Sequence, residues 1–380
     1  MRILVLTWRD LVHPCAGGAE VYTDQVARHW VAAGHEVTIF TSHVDGYPPE
    51  DHAGGVTILR RGGRHTVYNK ARRFYESEGR WHYDLVIDQI NTRPFLAPRY
   101  VDDASVLALV YQVAREVWFY ETPLPVALLG RYVLEPWWLR QYREVPTVTV
   151  SESSRRSLER YGLKRVTVVP AGYSPPSFNG GSPSSKEPRP TMIYVGRLSP
   201  NKRPEHVIQA FHHVRHHIPD AQLWVVGDGP MQTTLKRHAP PGSTFFGHVD
   251  DDTKYDLLAR AHVLVMTSVR EGWGLTVTEA AAVGTPSIAY AVDGLTDSVR
   301  ASGGTLTACT PESLASAIVS AFGSGLGQPA SCMPGGVLPW NEVAKALLGA
   351  SGLPGRQPAS TTVLAGDLHA KIPDSSSIPR

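Results

Sequence analysis

The chain has 380 residues, 42% of them hydrophobic and 19% charged. That composition excludes extended disorder and suits roughly two domains of ~150 residues each. The formal net charge is +2, from 37 basic and 35 acidic residues, so bulk charge does not mark a nucleic-acid-binding protein. No run approaches the ~20 apolar residues of a membrane helix. Cys15, Cys309 and Cys332 are too scattered for a disulfide framework or a zinc site, and the cytoplasm is the expected compartment.

The opening Met1–Thr7 has one charge and then a short β-branched and Leu run. It lacks the longer apolar region and cleavage site of a signal peptide and reads as a strand. Ala19–Ala33 has helical spacing, with Val21, Val26, Trp30 and Val31 on one face, and Gly34 ends it. Strand-like runs follow at Val37–Thr41, Val56–Leu59, Leu85–Asp88, Val106–Tyr111, Thr147–Val150 and Val166–Pro170. Such alternation predicts βαβ units and a parallel sheet.

Between Gly172 and Pro190 the periodicity stops and Pro, Gly and Ser dominate, as in a linker. The alternation restarts with strands at Thr191–Val195, Ala221–Val226, Thr244–Phe246, Val263–Thr267 and Ser287–Tyr290. Helical patterns cover Arg203–His217, Asp251–Arg260, Thr276–Ala282 and Glu312–Phe322. The predicted fold class is α/β: two Rossmann-like, doubly wound domains joined by one linker. The expected division is 1–173, a linker over 174–190, a second domain over 191–338, a helix over 339–349, and a disordered tail over 350–380.

Three loops at predicted strand ends carry chemistry. In Glu271-Gly272-Trp273-Gly274-Leu275-Thr276-Val277-Thr278-Glu279, a strand leads through glycines into a helix N-terminus. Free backbone N–H groups and the positive end of a helix dipole suit an anion there, and two carboxylates suit hydroxyls. Thr276 to Glu279 also fits a helix capping box, and the two readings weigh evenly. Gly196-Arg197-Leu198-Ser199-Pro200-Asn201-Lys202 places two cations at another strand end, fit for a diphosphate. Gly17-Gly18 after the first strand permits close backbone approach, though it also fits a plain strand–helix turn. It is not a GxGxxG fingerprint, which disfavours a nicotinamide cofactor.

Residues Arg115–Tyr142 are unusually aromatic: Trp118, Phe119, Tyr120, Tyr132, Trp137, Trp138 and Tyr142. Most are expected in the core, with some lining a groove, because carbohydrate and apolar ligands both use aromatic faces. The basic run Arg60, Arg61, Arg64, Lys70, Arg72, Arg73 and Arg80 is expected as a solvated face, with contact to an anionic or membrane-borne ligand as the sharper alternative. His212, His213, His216 and His217 lack a carboxylate partner set and read as surface residues of one helix.

Taken in this order, the three loops resemble glycosyltransferase family 4, nucleotide-sugar-dependent retaining enzymes of the GT-B fold. The resemblance covers about residues 1–348. It rests on the Glu271-to-Glu279 spacing, its Glu279-Ala280…Gly284-Thr285-Pro286 continuation and Gly196-Arg197-Leu198…Lys202. Val226-Gly227-Asp228-Gly229-Pro230, Phe246-Gly247-His248-Val249 and Val150-Ser151-Glu152-Ser153 also fit. It implies that Arg197 and Lys202 hold the donor diphosphate and that the backbone of Gly274, Leu275 and Thr276 caps the distal phosphate. Glu279 would bind ribose hydroxyls and Glu271 would contact the donor sugar. Gly247, His248 and Val249 would frame the base, and Gly17 and Gly18 would approach the diphosphate from the first domain. The last helix, from Trp340, would cross back onto that domain.

One position departs from the pattern. Many relatives carry a His where this chain has Tyr111. Tyr111 is expected either to hydrogen-bond the sugar in its place or simply to pack. The implied reaction transfers a sugar from a nucleoside diphosphate to the hydroxyl of a small-molecule or lipid-linked acceptor, with retention. No metal and no cofactor are expected, because cations and a helix terminus take the diphosphate charge. Contact with a membrane is expected to be peripheral at most, at its inner face. A phosphorylase or epimerase of the same fold, or a non-catalytic nucleotide-sugar-binding protein, are the alternatives.

Overall fold

The computed structural model describes residues 1–173, 185–324 and 337–353. Strands β1 (Arg2–Leu6), β2 (Glu36–Thr41), β3 (Glu50–Ala53), β4 (Val56–Arg60), β5 (Leu85–Ile90), β6 (Ser105–Val110), β7 (Thr147–Thr149) and β8 (Val166–Val168) form one sheet. Its order is β3-β4-β2-β1-β5-β6-β7-β8. All pairings are parallel except β3 with β4. The β3 edge escaped the sequence reading because Glu50-Asp51-His52-Ala53 has no apolar alternation to signal a strand.

After β9 (Gly172–Tyr173), the second sheet is built from β10 (Thr191–Val195), β11 (Gln222–Val226), β12 (Ser243–Gly247), β13 (Val263–Met266), β14 (Ser287–Tyr290) and β15 (Thr305–Thr307). It is wholly parallel, in the order β12-β11-β10-β13-β14-β15. Each sheet carries an apolar cluster on both faces, as parallel sheets require. The strand runs are buried almost without interruption for the same reason.

The helix Gly18–Ala32 buries Tyr22, Val26 and Trp30, spaced four apart, against β1 and β2. Val21, expected on that face, is 40% exposed, and Tyr22 takes its place. The helix Trp340–Ala350 packs onto Gly18–Ala32, shifted by one residue from the expected 339–349. Its Val343, Ala344 and Leu347 join the first domain's core, and the Trp30 Nε1–H donates to Ala344 O at 2.9 Å. Trp340 lies edge-on to Tyr22, with ring centroids 5.4 Å apart. A Cβ on Gly172 would come within 2.4 Å of the Trp340 ring, so only glycine fits there. The C-terminal helix therefore returns to the first domain.

Residues 174–184 of the expected linker and 354–380 of the expected tail lie outside the described residues. The chain crosses between domains at both ends of a small ladder, where β9 pairs with β16 (Leu338–Pro339). Lys186 ties the end of the linker to the second domain, donating to Ala261 O at 2.6 Å and to Thr285 Oγ1 at 2.7 Å.

Two surface expectations are corrected. Of the seven aromatics in the 115–142 segment, Phe119, Tyr120, Tyr132 and Trp137 are 36–64% exposed, and Tyr142 is fully buried. The helices there are only four to six residues long and apolar around most of their circumference, so one buried face cannot take them all. In the basic run, Arg60 is not on a solvated face. It is 2% exposed and bound to Asp10 at 2.8 Å and Asp51 at 3.0 Å. His212, His213, His216 and His217 on the helix Pro204–His217 are exposed, as expected.

Candidate active site

The carboxyl ends of the two sheets face each other, and the three loops meet there. Lys202 ends a short 3₁₀ turn after β10. Its ammonium lies 2.5 Å from Glu271 Oε1, with the two side chains 25% and 12% exposed. The Ser268 hydroxyl donates to the same oxygen at 2.7 Å. Glu271 Oε2 is left without a protein partner among the described residues. Thr267 Oγ1 donates to the carbonyls of Lys202 and Arg203, at 2.9 and 2.8 Å, which joins the β13 end to the turn carrying Lys202.

Arg197 reaches across the cleft. Its Nη2 donates to Cys15 O at 2.6 Å and Ala16 O at 3.3 Å, in the loop that precedes Gly17 and Gly18. Gly18 in turn faces the helix Leu275–Ala282: a Cβ on it would lie 3.0 Å from Leu275 Cδ1. That helix is capped by Gly274 at φ +92, and Leu275 and Thr276 occupy its first turn. No side chain caps it, so the capping-box alternative for Thr276–Glu279 fails and the terminal N–H groups stay available. A capping interaction exists elsewhere: the Gly17 N–H donates to Glu20 Oε2 at 2.7 Å. Burial raises the Glu20 carboxyl, opposed by Arg9 at 3.0 Å and the Gly17 N–H.

Glu279 is half-buried on the same helix and pairs with Lys254 at 3.0 Å. Burial pulls the Lys254 ammonium down, but Glu279 and Asp251 outweigh it and its pKa is raised. At the end of β12, Gly247 adopts φ +71 and the His248 N–H donates to Asp228 Oδ2 at 2.9 Å. Val249 packs against the second domain's core. Lys254, Asp228 and Ser268 hold the expected site residues in place, and sequence reasoning gave none of them a role. Lys254 and Ser268 stand in no recognised motif. Asp228 lies within one, in Val226–Pro230, and was the legible signal.

Tyr111 turns its hydroxyl toward the helix Gly18–Ala32. The O–H donates to Ala19 O at 3.1 Å, beside Thr23 Oγ1 at 3.3 Å, and the ring meets Tyr22 edge-on. Burial first, then Tyr22, pushes its pKa well above the ordinary tyrosine value. This arrangement is the packing alternative for Tyr111. Its carbonyl takes part in the interface instead, since a Cβ on Gly272 would lie 2.9 Å from Tyr111 O.

A second set of contacts joins the domains beside the site. Arg270, 7% exposed, binds Asp293 at 2.5 Å and Glu116 at 3.2 Å. Ser157 donates to Asp293 at 3.1 Å, Ser153 donates to Asp297, and the Gly294 N–H donates to Ser153 Oγ at 2.8 Å. A cavity of about 530 Å³ opens next to this bridge, lined by Glu116, Phe119, Tyr120, Arg203, Arg270 and Cys309 among others. Among the described residues, no group of three or more His, Cys, Asp or Glu is placed to hold a metal. No helix among them is long and apolar enough to cross a membrane.

Two family models match this chain. One, described as Glycosyltransferase Family 4, covers residues 16–175, and one described as Glycosyl transferases group 1 covers residues 180–325. A glycogen synthase of Mycobacterium tuberculosis is 25% identical over 366 residues, 87% of each chain. A 2-deoxystreptamine glucosyltransferase of Streptomyces kanamyceticus is 29% identical over 50% of this chain and 52% of its own. The solved sucrose-phosphate synthase of Thermosynechococcus elongatus superposes with a TM-score of 0.68 at 20% identity, over 92% of this chain and 96% of that one. The chain belongs to glycosyltransferase family 4 and is a nucleotide-sugar-dependent glycosyltransferase of the GT-B fold.

Proposed function

We propose that the donor diphosphate lies between Arg197, Lys202 and the N-terminus of Leu275–Ala282, with Gly17 and Gly18 closing on it from the first domain. The observation that carries this reading is the Lys202–Glu271 pair, with a second carboxylate oxygen of Glu271 left open. An ammonium beside the leaving phosphates and a carboxylate beside the sugar then share one position. Glu279 and its Lys254 hold the ribose end, and Gly247–Val249, fixed by Asp228, frame the base.

In the step this supports, the bond from the anomeric carbon to the phosphate oxygen breaks and the acceptor oxygen bonds that carbon on the same face. The acceptor's proton passes to the departing phosphate oxygen, so no protein nucleophile is needed and configuration is retained. Arg197, Lys202 and the helix dipole stabilise the growing charge without a metal. Arg197 holds Cys15 O and Ala16 O through Nη2 alone, which leaves Nη1 and Nε to face the diphosphate. The acceptor is a small molecule or a lipid-linked sugar. The apolar side chains exposed between Phe119 and Trp137 support an apolar aglycone or a peripheral contact at the inner face of the membrane.

The test is Glu271→Gln. Turnover falls at least about tenfold while affinity for the free nucleoside diphosphate changes by less than about twofold. Wild-type turnover in that variant would reduce Glu271 to a structural partner of Lys202.

A further inference from the structure

The first domain presents a group of arginines at the cleft that the donor site does not use. The sheet order places the loops after β4, β1 and β5 close together at one carboxyl edge. Arg64 comes from the first of these loops, Trp8, Arg9 and His13 from the second, and Arg93 from the third. The Trp8 ring lies under Arg9 at 4.3 Å and Arg64 at 5.7 Å, and edge-on to His13 with centroids 5.3 Å apart. Arg93 lies over Tyr68 at 4.2 Å. Burial pushes the Tyr68 hydroxyl up to about 12, with Asp88 acting in the same sense and Arg93, Arg64 and Arg9 opposing. Arg197 joins from the facing domain: burial, Arg9, Arg197 and Arg64 all lower His13, with only Asp10 opposing.

The carboxylates nearby are already engaged. Asp10 and Asp51 are bound to Arg60, Glu20 is bound to Arg9, and Asp88 is buried under Tyr142 and the N–H groups of Phe95 and Ala97. Arg61, Arg72 and Arg80, from the same basic run as Arg64, each pair with their own carboxylate. Arg64 and Arg93 have no carboxylate partner among the described residues and rest on aromatic faces instead. Guanidinium groups held on aromatic rings keep their fork free for a planar or tetrahedral anion.

We propose that this rim binds the acceptor through an anionic group, a phosphate or carboxylate carried near the hydroxyl that is glycosylated, with Arg64 and Arg93 as specificity-determining residues. The inference rests on the donor reading above, because it takes the opposite wall of the cleft as the donor side. A soluble sugar phosphate and a lipid-borne phosphate share this chemistry.

The experiment uses the full chain saturated with whichever of UDP, GDP, dTDP or ADP stabilises it most, so that the diphosphate site is filled. Inorganic phosphate, and separately phosphatidylglycerol and phosphatidylcholine vesicles, are titrated into wild type and an Arg64→Ala/Arg93→Ala variant at low salt. Wild type is expected to bind phosphate about 10-fold to about 100-fold more tightly than the variant, with the difference shrinking as salt rises. Nucleoside diphosphate affinity should agree within about twofold between the two proteins. Preference for phosphatidylglycerol vesicles without soluble phosphate binding would keep the anion site and place its phosphate on a lipid. Equal phosphate and vesicle binding by wild type and variant overturns the proposal. So does an equal loss of nucleotide affinity in the variant, which would move both arginines to the donor site. Failure of wild type to bind any of the four nucleotides would instead overturn the donor reading.

Discussion

Replacing Lys202 with Met tests the chemistry and the architecture together. The ammonium sits 2.5 Å from Glu271 Oε1, and both side chains are mostly buried, at 25% and 12% exposure. Its removal leaves Glu271 with the Ser268 hydroxyl at 2.7 Å and an open second oxygen, so the carboxylate is not stranded. The cost to folding is then about 1 kcal/mol, the upper end for a pair with some solvent access. The cost to turnover is larger. A charged donor aimed at charge that develops only in the transition state contributes about 2.7–4 kcal/mol, or about 100-fold to about 1,000-fold in kcat. Initial rates of nucleoside diphosphate release at saturating donor measure the second quantity, and equilibrium urea unfolding measures the first. A double variant, Lys202→Met with Glu271→Gln, should lose less than the two single losses combined, because the residues are in contact. A kcat/KM within about threefold of wild type would refute the placement of Lys202 on the leaving group.

Further outcomes follow from individual contacts. Tyr111→Phe should cost about 1 kcal/mol of stability through the lost bond to Ala19 O and leave kcat within about twofold; a loss near 100-fold in a folded variant would return that hydroxyl to the sugar. Trp340→Ala should destabilise the chain by about 3–5 kcal/mol in urea unfolding, since the ring fills the space between Gly172 and Tyr22; a change under about 1 kcal/mol would mean that the returning helix is not integral to the first domain. Burial brings the Lys186 ammonium down to about 8 in the fold, below its ordinary value, so the unfolded chain holds the extra proton between about 8 and that value. Wild type should therefore gain stability relative to Lys186→Met as pH rises through this window. Thermal midpoints of both proteins from neutral to alkaline pH read it, and a constant difference would contradict it.

The alternation of apolar runs made both sheets legible, because a parallel strand buried on two faces is a continuous apolar stretch that needs no partner to be recognised. β10, β13 and β14 lie where their sequences place them. What stayed hidden has a physical pattern. β3 lies at an exposed edge with no apolar alternation, and β9 and β16 are two residues long, too short for any period. At the site, glycines and charged residues at strand ends marked the positions, but their partners did not stand out. Lys254 pairs with Glu279 from a neighbouring helix, and Arg270 joins Asp293 and Glu116 across the cleft. Those are contacts between segments far apart in sequence, and no local spacing encodes them. Tyr111 shows the converse. Its place after β6 pointed to the donor sugar, but a tyrosine there is long enough for its hydroxyl to meet Ala19 and Thr23 on the first helix.

The central claim is that two side-chain cations and a helix terminus hold the donor diphosphate without a metal. Calorimetric titration with UDP, GDP, dTDP and ADP in the presence of EDTA tests it most directly, with wild type beside Arg197→Ala. At least one nucleoside diphosphate should bind wild type in EDTA, and Arg197→Ala should weaken it about 10-fold to about 100-fold. Binding that appears only when manganese or magnesium is added, or that is equal in the two proteins, would contradict it.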